Sequence, residues 1–202
     1  MECELAALQL GSEDPKRARI LEGALKVFLA YGFSRTTMDD IARAAELSRP
    51  ALYLLFRNKT DIYRAIARCV VAQIVLRAKD ALAGDGRLID KLDRMVQTAL
   101  FEMVKDIEES PHGPELLDIK NSLAGDIFAE WRGEMLVALE AAFASEADST
   151  GVDLSAREIS ARVLAETLLD ALEGMKPRLS DPHSHLAAAR SCARVLVAAL
   201  RP

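Results

Sequence analysis

Three cysteines among 202 residues, Cys3, Cys69 and Cys192, are too scattered for a disulfide framework. Their odd number fits a reducing compartment, which is expected to be the cytoplasm. Histidine is equally scarce. His183-x-His185 is the only close pair, in a predicted loop, and His112 stands alone, so all three are read as surface histidines. No Gly-rich phosphate loop, HExxH, CxxC or GxSxG occurs, so no catalytic residue, metal or cofactor is assigned. Aromatics, glycine and proline are sparse, and no β-branched alternating run is present. With Ala, Leu, Glu and Arg dominant, the expected fold class is all-α, with about nine helices. No apolar run is long enough to span a bilayer, so no membrane partner is expected. The N-terminal MECELAALQLGSEDP carries acids and no basic n-region. It is read as an arm over residues 1–13, not as a signal peptide.

What is present is helical punctuation. Asp14-Pro15 reads as a cap followed by Pro in the first turn. Ile20, Ala24, Val27, Phe28 and Tyr31 form a buried stripe, and Gly32 closes the helix. Thr37 with Asp40 makes a capping box, followed by Met38, Ile41, Ala42 and Ala45 on one face. Leu47 plugs a tight turn, Ser48 caps again, and Pro50 sits where its missing N–H is harmless. Leu52, Leu55 and Phe56 are expected in the core. Asn58, with Asp61 at its third helical position, opens a long helix through Ile62, Ile66, Val70 and Ile74. Two short helices joined by a tight turn and followed by a capped third are the pattern of a helix-turn-helix. Its second helix offers N-terminal side chains to base edges in the major groove. Those side chains are Arg49, Pro50, Ala51 and Leu54. Arg49 is the candidate for a bidentate contact with guanine, and Ala51 for contact with a thymine methyl.

The run ILEGALKVFLAYGFSRTTMDDIARAAELSRPALYLLFRNKTDIYRAI resembles the N-terminal domain of the tetracycline-repressor (TetR) family. Gly32-Phe33, Thr37, Ile41-Ala42, Ser48, Leu52-Tyr53, Phe56 and Lys59 carry the likeness, over about a quarter of the chain. It implies phosphate contacts from Thr37, Ser48, Tyr53 and Lys59, with a core role left open for Tyr53. It also implies a homodimer and a small-molecule effector held in the helical body. Glu46 departs from the family, which usually has Gly there.

Charge supports this division. Residues 15–64 carry 10 Lys/Arg against 5 Asp/Glu, and the rest 16 against 26, so a basic head sits on an acidic body although the whole chain is at −5. The expected domains are the arm at 1–13, the helix-turn-helix at 14–62 and an effector-binding and dimerisation domain at 63–202. In the body, helices are expected over 88–107, 115–123 and 127–143. A loop follows at 145–153, then a helix capped by Ser155 with Glu158 and ended by Lys176-Pro177. SDPHSH is read as a turn before the last helix. The large residues Met95, Phe101, Met103, Phe128, Trp131 and Met135 are effector-pocket candidates, weighed against plain core, with Gln97, Asn121 and Arg132 as conceivable anchors. Small and apolar residues on the last two helices, Ala165, Leu168, Leu172, Met175, Ala189, Ala193, Leu196 and Val197, are candidates for a four-helix dimer interface, weighed against packing within one chain. The function expected is a ligand-responsive regulator binding a palindromic operator in double-stranded DNA. The alternative is a dimeric helical ligand-binding or protein-interaction module without operator binding.

Overall fold

A computed structural model of the chain describes residues 14–175 and 181–201, without the side chains of Val104, Asn121 and Pro182. The expected arm, the Lys176-Pro177 stop and the Asn121 anchor therefore lie outside the described residues. Ten α-helices and no strand are found among those described: α1 Pro15–Tyr31, α2 Met38–Ala44, α3 Arg49–Leu55, α4 Lys59–Ala83, α5 Leu88–Arg94, α6 Glu102–Glu108, α7 Gly113–Asp118, α8 Lys120–Thr150, α9 Ala161–Met175 and α10 Pro182–Ala198. None is long and apolar enough to cross a membrane. The chain divides into two compact units, Met1–Gln73 with Met103–Glu130, and Ile74–Glu102 with Trp131–Pro202.

The first unit holds α1 to α3 around Ile20, Leu21, Ala24, Phe28, Ile41 and Leu52, each at most 1% exposed. The caps explain where these helices begin. Asp14 accepts from the Lys16 N–H, Thr37 and Asp40 form a reciprocal capping box, and Ser48 accepts from the Ala51 N–H. The Asn58 Oδ1 accepts from Asp61 N at 2.9 Å and opens α4. Gly23 sits where α1 meets the end of α2. A Cβ there would lie 2.9 Å from Ala45 N and 3.0 Å from the Ala44 carbonyl carbon, so only glycine permits this approach. Phe33 packs at a tilt against Phe28 and edge-on to Tyr63, and the Tyr63 hydroxyl donates to the Leu116 carbonyl at 2.7 Å. Burial pushes that phenol up to about 12.

The second unit is built on α9 and α10, with α10 also against α5 and the turn after it. Four sequence expectations change here. The helix expected over 88–107 is interrupted by a π-helical turn, Met95–Phe101, between α5 and α6. The expected loop at 145–153 is helical to Thr150. Ser149 and Thr150 hydroxyls fold back onto the Glu146 carbonyl at 2.9 and 2.8 Å, and Gly151, at φ +70°, ends the helix. Ser155 caps no helix. It begins a single 3₁₀ turn, Asp153 accepts from Ser155 N and Ala156 N, and Ser160 caps α9 by accepting from Val163 N. Finally, Asp181 caps α10 with Pro182 in the first position, so His183 and His185 are helical, not in a loop. In α8, at a point within the first unit, the gap expected between the helices at 115–123 and 127–143 is a kink, where Ala124 leaves helical geometry at φ −145°, ψ 26°.

Candidate nucleic-acid interface

The second helix of the helix-turn-helix, α3, is held by its turn. Glu46 occupies the left-handed region at φ 53°. Leu47 N donates to the Ala42 carbonyl at 2.9 Å and Glu46 N to that of Arg43 at 3.1 Å, a Schellman closure of α2. That geometry costs a non-glycine residue roughly 1–2 kcal/mol. Arg19 of α1 offsets part of it. Its Nη2 donates to the Ala45 carbonyl at 2.8 Å, the Glu46 carbonyl at 3.1 Å and Glu46 Oε2 at 3.3 Å. The Glu46 side chain is otherwise directed to solvent, 87% exposed.

Beyond the turn, Ser48, Arg49, Pro50, Tyr53 and Leu54 are exposed and Ala51 is half-buried, while Leu52 is fully buried. Leu55, expected in the core, is only half-buried. Leu54 is 86% exposed and Tyr53 43%, so Tyr53 is not a core aromatic. Arg49 is engaged. Its Nε lies 3.1 Å from Asp39 Oδ1, its Nη1 donates to Asp39 Oδ2 at 3.2 Å, and its guanidinium lies 5.6 Å from the Tyr53 ring centroid. Thr37 is exposed at the start of α2. Its hydroxyl accepts from Asp40 N at 3.2 Å and donates to Asp40 Oδ2 at 2.6 Å. The bond from the Thr37 hydroxyl, and a second from Thr37 N to Asp40 Oδ2 at 2.9 Å, hold the Asp40 carboxyl below its ordinary range.

Lys59 plays a different part from its neighbours. Its Nζ donates to the carbonyls of Phe33, Ser34 and Thr36 at 2.7, 3.0 and 2.9 Å, and lies 4.7 Å from the centroid of the Phe33 ring. An ammonium has three N–H donors, and all three are used on the loop that delivers Thr37. The other side of that loop rests on the start of α7. Ser34 N and Oγ donate to Glu115 Oε1 at 3.1 and 2.9 Å, and His112 N donates to the Leu29 carbonyl at 3.2 Å. The bonds from Ser34 hold the Glu115 carboxyl below its usual range. Gly32, at φ +85°, makes room, since a Cβ there would meet Glu115 Oε2 at 2.4 Å. Arg19, Gly23, Asp39 and Glu115 were not singled out from the sequence. Each acts on a partner ten or more residues away, and no local spacing marks them.

The residues offered as an effector lining are divided between the units. Met95, Phe101, Trp131 and Met135 belong to the second, Met103 and Phe128 to the first. The three methionines are buried and the three aromatics half-buried. The Trp131 Nε1 is buried with no hydrogen-bond partner. Of the conceivable anchors, Arg132 is committed to Asp170 at 2.5 Å and Glu173 at 2.8 Å. The stripe offered for dimerisation needs correction. Ala165, Leu168, Leu172, Ala189 and Ala193 are buried within one chain, and Met175, Leu196 and Val197 are half-buried. These five are the second unit's own core, as expected where α9 and α10 pack on each other. The outward residues of the same helices, such as Val163 and Thr167 on α9 and Ser191 and Val195 on α10, are exposed.

Comparison with known proteins falls on the same elements. Residues 20–66 match the sequence model described as bacterial regulatory proteins, tetR family. The chain is 44% identical over 50 residues to the HTH-type transcriptional regulator SrpR of Pseudomonas putida, covering 25% of this chain and 24% of that protein. It is 29% identical over 91 residues to IcaR of Staphylococcus aureus (strain Newman), the HTH-type negative transcriptional regulator of the icaADBC biofilm operon, covering 45% of this chain and 47% of that one. These matches thus span less than half the length of the curated relatives. The fold is shared more widely. A TetR/AcrR-family transcriptional regulator from Thermobifida fusca YX-ER1 superposes with a TM-score of 0.69, over 91% of this chain and 97% of that one, at 22% identity. Residues 20–66, which hold the capped helix-turn-helix, thus form a domain of the tetR family of bacterial regulatory proteins, and the all-helical fold as a whole is shared with that solved structure.

Proposed function

We propose that the protein is a cytoplasmic transcription regulator, a repressor by the family's usual mode. It would bind a palindromic operator in double-stranded DNA as a homodimer and release it on binding a small, mostly apolar molecule. The observation that carries this reading is α3, a helix with Ser48, Arg49, Pro50, Tyr53 and Leu54 all exposed beside a single buried Leu52. A helix of this length gains nothing in stability from an 86% exposed leucine, which is instead suited to thymine methyl groups. Thr37 and Ser48 sit at helix N-termini, where hydroxyl and backbone N–H groups favour phosphate. Pro50 and Ala51 keep the helix start slim enough to approach base edges. Lys59 shapes the loop and adds charge rather than free donors. One such head reads few base pairs. Two heads on a two-fold axis would read half-sites about 34–36 Å apart or a multiple of that. The effector would act by preferring a state in which the two heads no longer match that spacing.

A second reading, a helical ligand-binding or interaction module without operator binding, draws support from Asp39. This carboxylate lies beside the reading helix and holds its only arginine. Salt dependence separates the two. An operator binder selected against random DNA loses affinity steeply between low and moderate salt. Affinity no greater than that of an acidic control protein at low salt would defeat the main reading. Within it, Arg49→Ala should relax preference at one position of each half-site by about fivefold to a hundredfold. Equal weakening on every sequence would make Arg49 a phosphate contact instead.

A further inference from the structure

The second unit carries a cleft of about 400 Å³ where α5 meets α10, within the range of roughly 300–1,000 Å³ usual for small-molecule sites. Leu92, Val96 and Ala193 give it an apolar floor. Arg94, Arg190 and Arg194 stand around it with Asp90 and Asp93. The two acids are already matched. Asp90 accepts from Arg87 Nε and Nη2 at 2.9 and 3.0 Å. Asp93 accepts from Arg190 Nε and Nη2 at 2.5 and 3.2 Å, and the same Nη2 reaches Gln97 Oε1 at 3.1 Å. The charged form of Asp90 is held chiefly by Arg87, with Arg94 a minor contributor.

That leaves two guanidinium groups in surplus. Arg94 and Arg194 are exposed, and each donates to a neutral oxygen, Arg94 Nη2 to the Asp85 carbonyl at 2.9 Å and Arg194 Nη2 to Ser191 Oγ at 3.0 Å. Neither has an ion pair among the described residues. Outside the head the chain is strongly acidic, 16 Lys/Arg against 26 Asp/Glu, so a local cationic surplus runs against its composition. Like charges around one cleft repel unless an anion joins them. The cleft also adjoins the π-helical turn that begins at Met95, and such turns recur at functional sites.

We propose that this cleft binds an organic oxyanion, a carboxylate or phosphate monoester carried on a short apolar body. Arg94 and Arg194 hold the anion through their planar donor forks, and the Arg190–Asp93–Gln97 network keeps the wall in place. The apolar body lies on Leu92 and Val96. None of the six large residues offered as an effector lining borders this cleft, although Gln97, one of the conceivable anchors, is tied to its wall through Arg190.

Calorimetric titration of the full chain with hexanoate, hexyl phosphate, inorganic phosphate and hexan-1-ol tests it. The two organic anions should bind saturably, inorganic phosphate more weakly, and hexan-1-ol not at all. In the Arg94→Gln/Arg194→Gln protein both anions should weaken about tenfold or more, since two charge-assisted partners are lost. Its melting temperature without ligand should stay unchanged, because both side chains are exposed. The Lys/Lys pair at these positions should recover part of the affinity. Absence of saturable binding, or equal affinity in the Gln variant, overturns the site. Hexan-1-ol binding as tightly as hexanoate overturns the role of the arginines, and inorganic phosphate matching hexyl phosphate overturns that of the floor.

Discussion

The two units use their cations differently. In the first, long-range cations end largely on backbone carbonyls at turns: Arg19 on Ala45 and Glu46, Lys59 on Phe33, Ser34 and Thr36, and Arg64 partly on Leu123. In the second, helix-crossing arginines end largely on carboxylates: Arg132 on Asp170 and Glu173, Arg162 on Glu140, and Arg190 on Asp93. Arg157, which caps the end of α10 through the Ala199 and Arg201 carbonyls, Arg77, on the Thr98 carbonyl, and Arg94, on that of Asp85, are exceptions. The charge composition of the units as wholes does not account for the contrast, with 13 Lys/Arg against 16 Asp/Glu in the first and 13 against 15 in the second. Within the head, residues 15–64, basic residues outnumber acidic ones two to one, and its cations find carbonyls more readily than carboxylates. The consequence is functional. A cation on a carbonyl fixes the shape of a turn, and in the head those turns deliver Thr37 and Ser48. A cation on a carboxylate ties two helices together and leaves the backbone alone.

The largest expected effect follows from backbone proximity in the head. Gly23→Val would push a branched side chain into the Ala44 and Ala45 backbone, which cannot yield as a flexible side chain would. Overpacking of this kind should cost about 3 kcal/mol and abolish DNA binding with it. Gly174→Ala is its counterpart in the second unit, where a Cβ meets nothing within 4 Å. It should stabilise α9 by about 0.5–1 kcal/mol. Denaturant titration of both variants measures the pair, and equal losses would erase the distinction.

Next in size is the contrast between carbonyl and carboxylate partners. Lys59→Met leaves the Phe33, Ser34 and Thr36 carbonyls without their shared donor and should cost about 2 kcal/mol. Arg132→Met in the second unit breaks two pairs whose acids are largely exposed, which should cost only about 0–1 kcal/mol. If chemical denaturation ranks these two the other way, the cations of the head are ornamental to its fold.

Sequence alone made the first unit legible to a depth it did not reach in the second. Caps at Asp14, Thr37, Ser48 and Asn58 are local signals, three residues or fewer in reach, and each is made as expected. The same signal was present at Asp181-Pro182, yet the two histidines and the serine that follow read as a turn. The cap nevertheless outweighed them, and α10 begins there. At Ser155 the signal misled, because the Ser155 hydroxyl is spent donating to Asp153, which also accepts from Ser155 N and Ala156 N, and Ser160 supplies a competing cap. Periodicity marked the α9 and α10 stripes correctly as buried faces, but a buried face carries no record of whether its cover is the same chain or another. The π turn at Met95–Phe101 left no trace, since one extra residue per turn barely alters an apolar stripe.

A smaller effect is expected in acid. Asp126 is held at about 2, first by its hydrogen bond with Arg64, and Glu115 is held low, first by the Ser34 N–H. A carboxylate held below its unfolded value stabilises the fold above the ordinary carboxylate range, near about pH 4, and loses that contribution as the pH falls through its folded value. Melting temperature should therefore fall on acidification below about pH 4, and Glu115→Gln should flatten part of that slope while lowering stability at neutral pH. An unchanged acid slope in the variant would mean that the Ser34–Glu115 contact is not maintained in solution.

The smallest change in the series concerns the turn itself and has the opposite sign. Glu46→Gly removes the left-handed penalty of roughly 1–2 kcal/mol but also the exposed ion pair with Arg19, which is worth about 0–1 kcal/mol. It adds backbone freedom to the unfolded chain as well. The net should be a gain of up to about 1 kcal/mol, because the Arg19 bonds to the Ala45 and Glu46 carbonyls do not depend on the side chain. The same substitution removes a carboxylate from beside the reading helix, so DNA affinity at low salt should rise while the order of preferred sequences stays the same. If stability falls instead, Arg19 and the Glu46 carboxylate hold the turn more strongly than glycine's freedom would, and the residue that departs from the family is part of how this head keeps its shape.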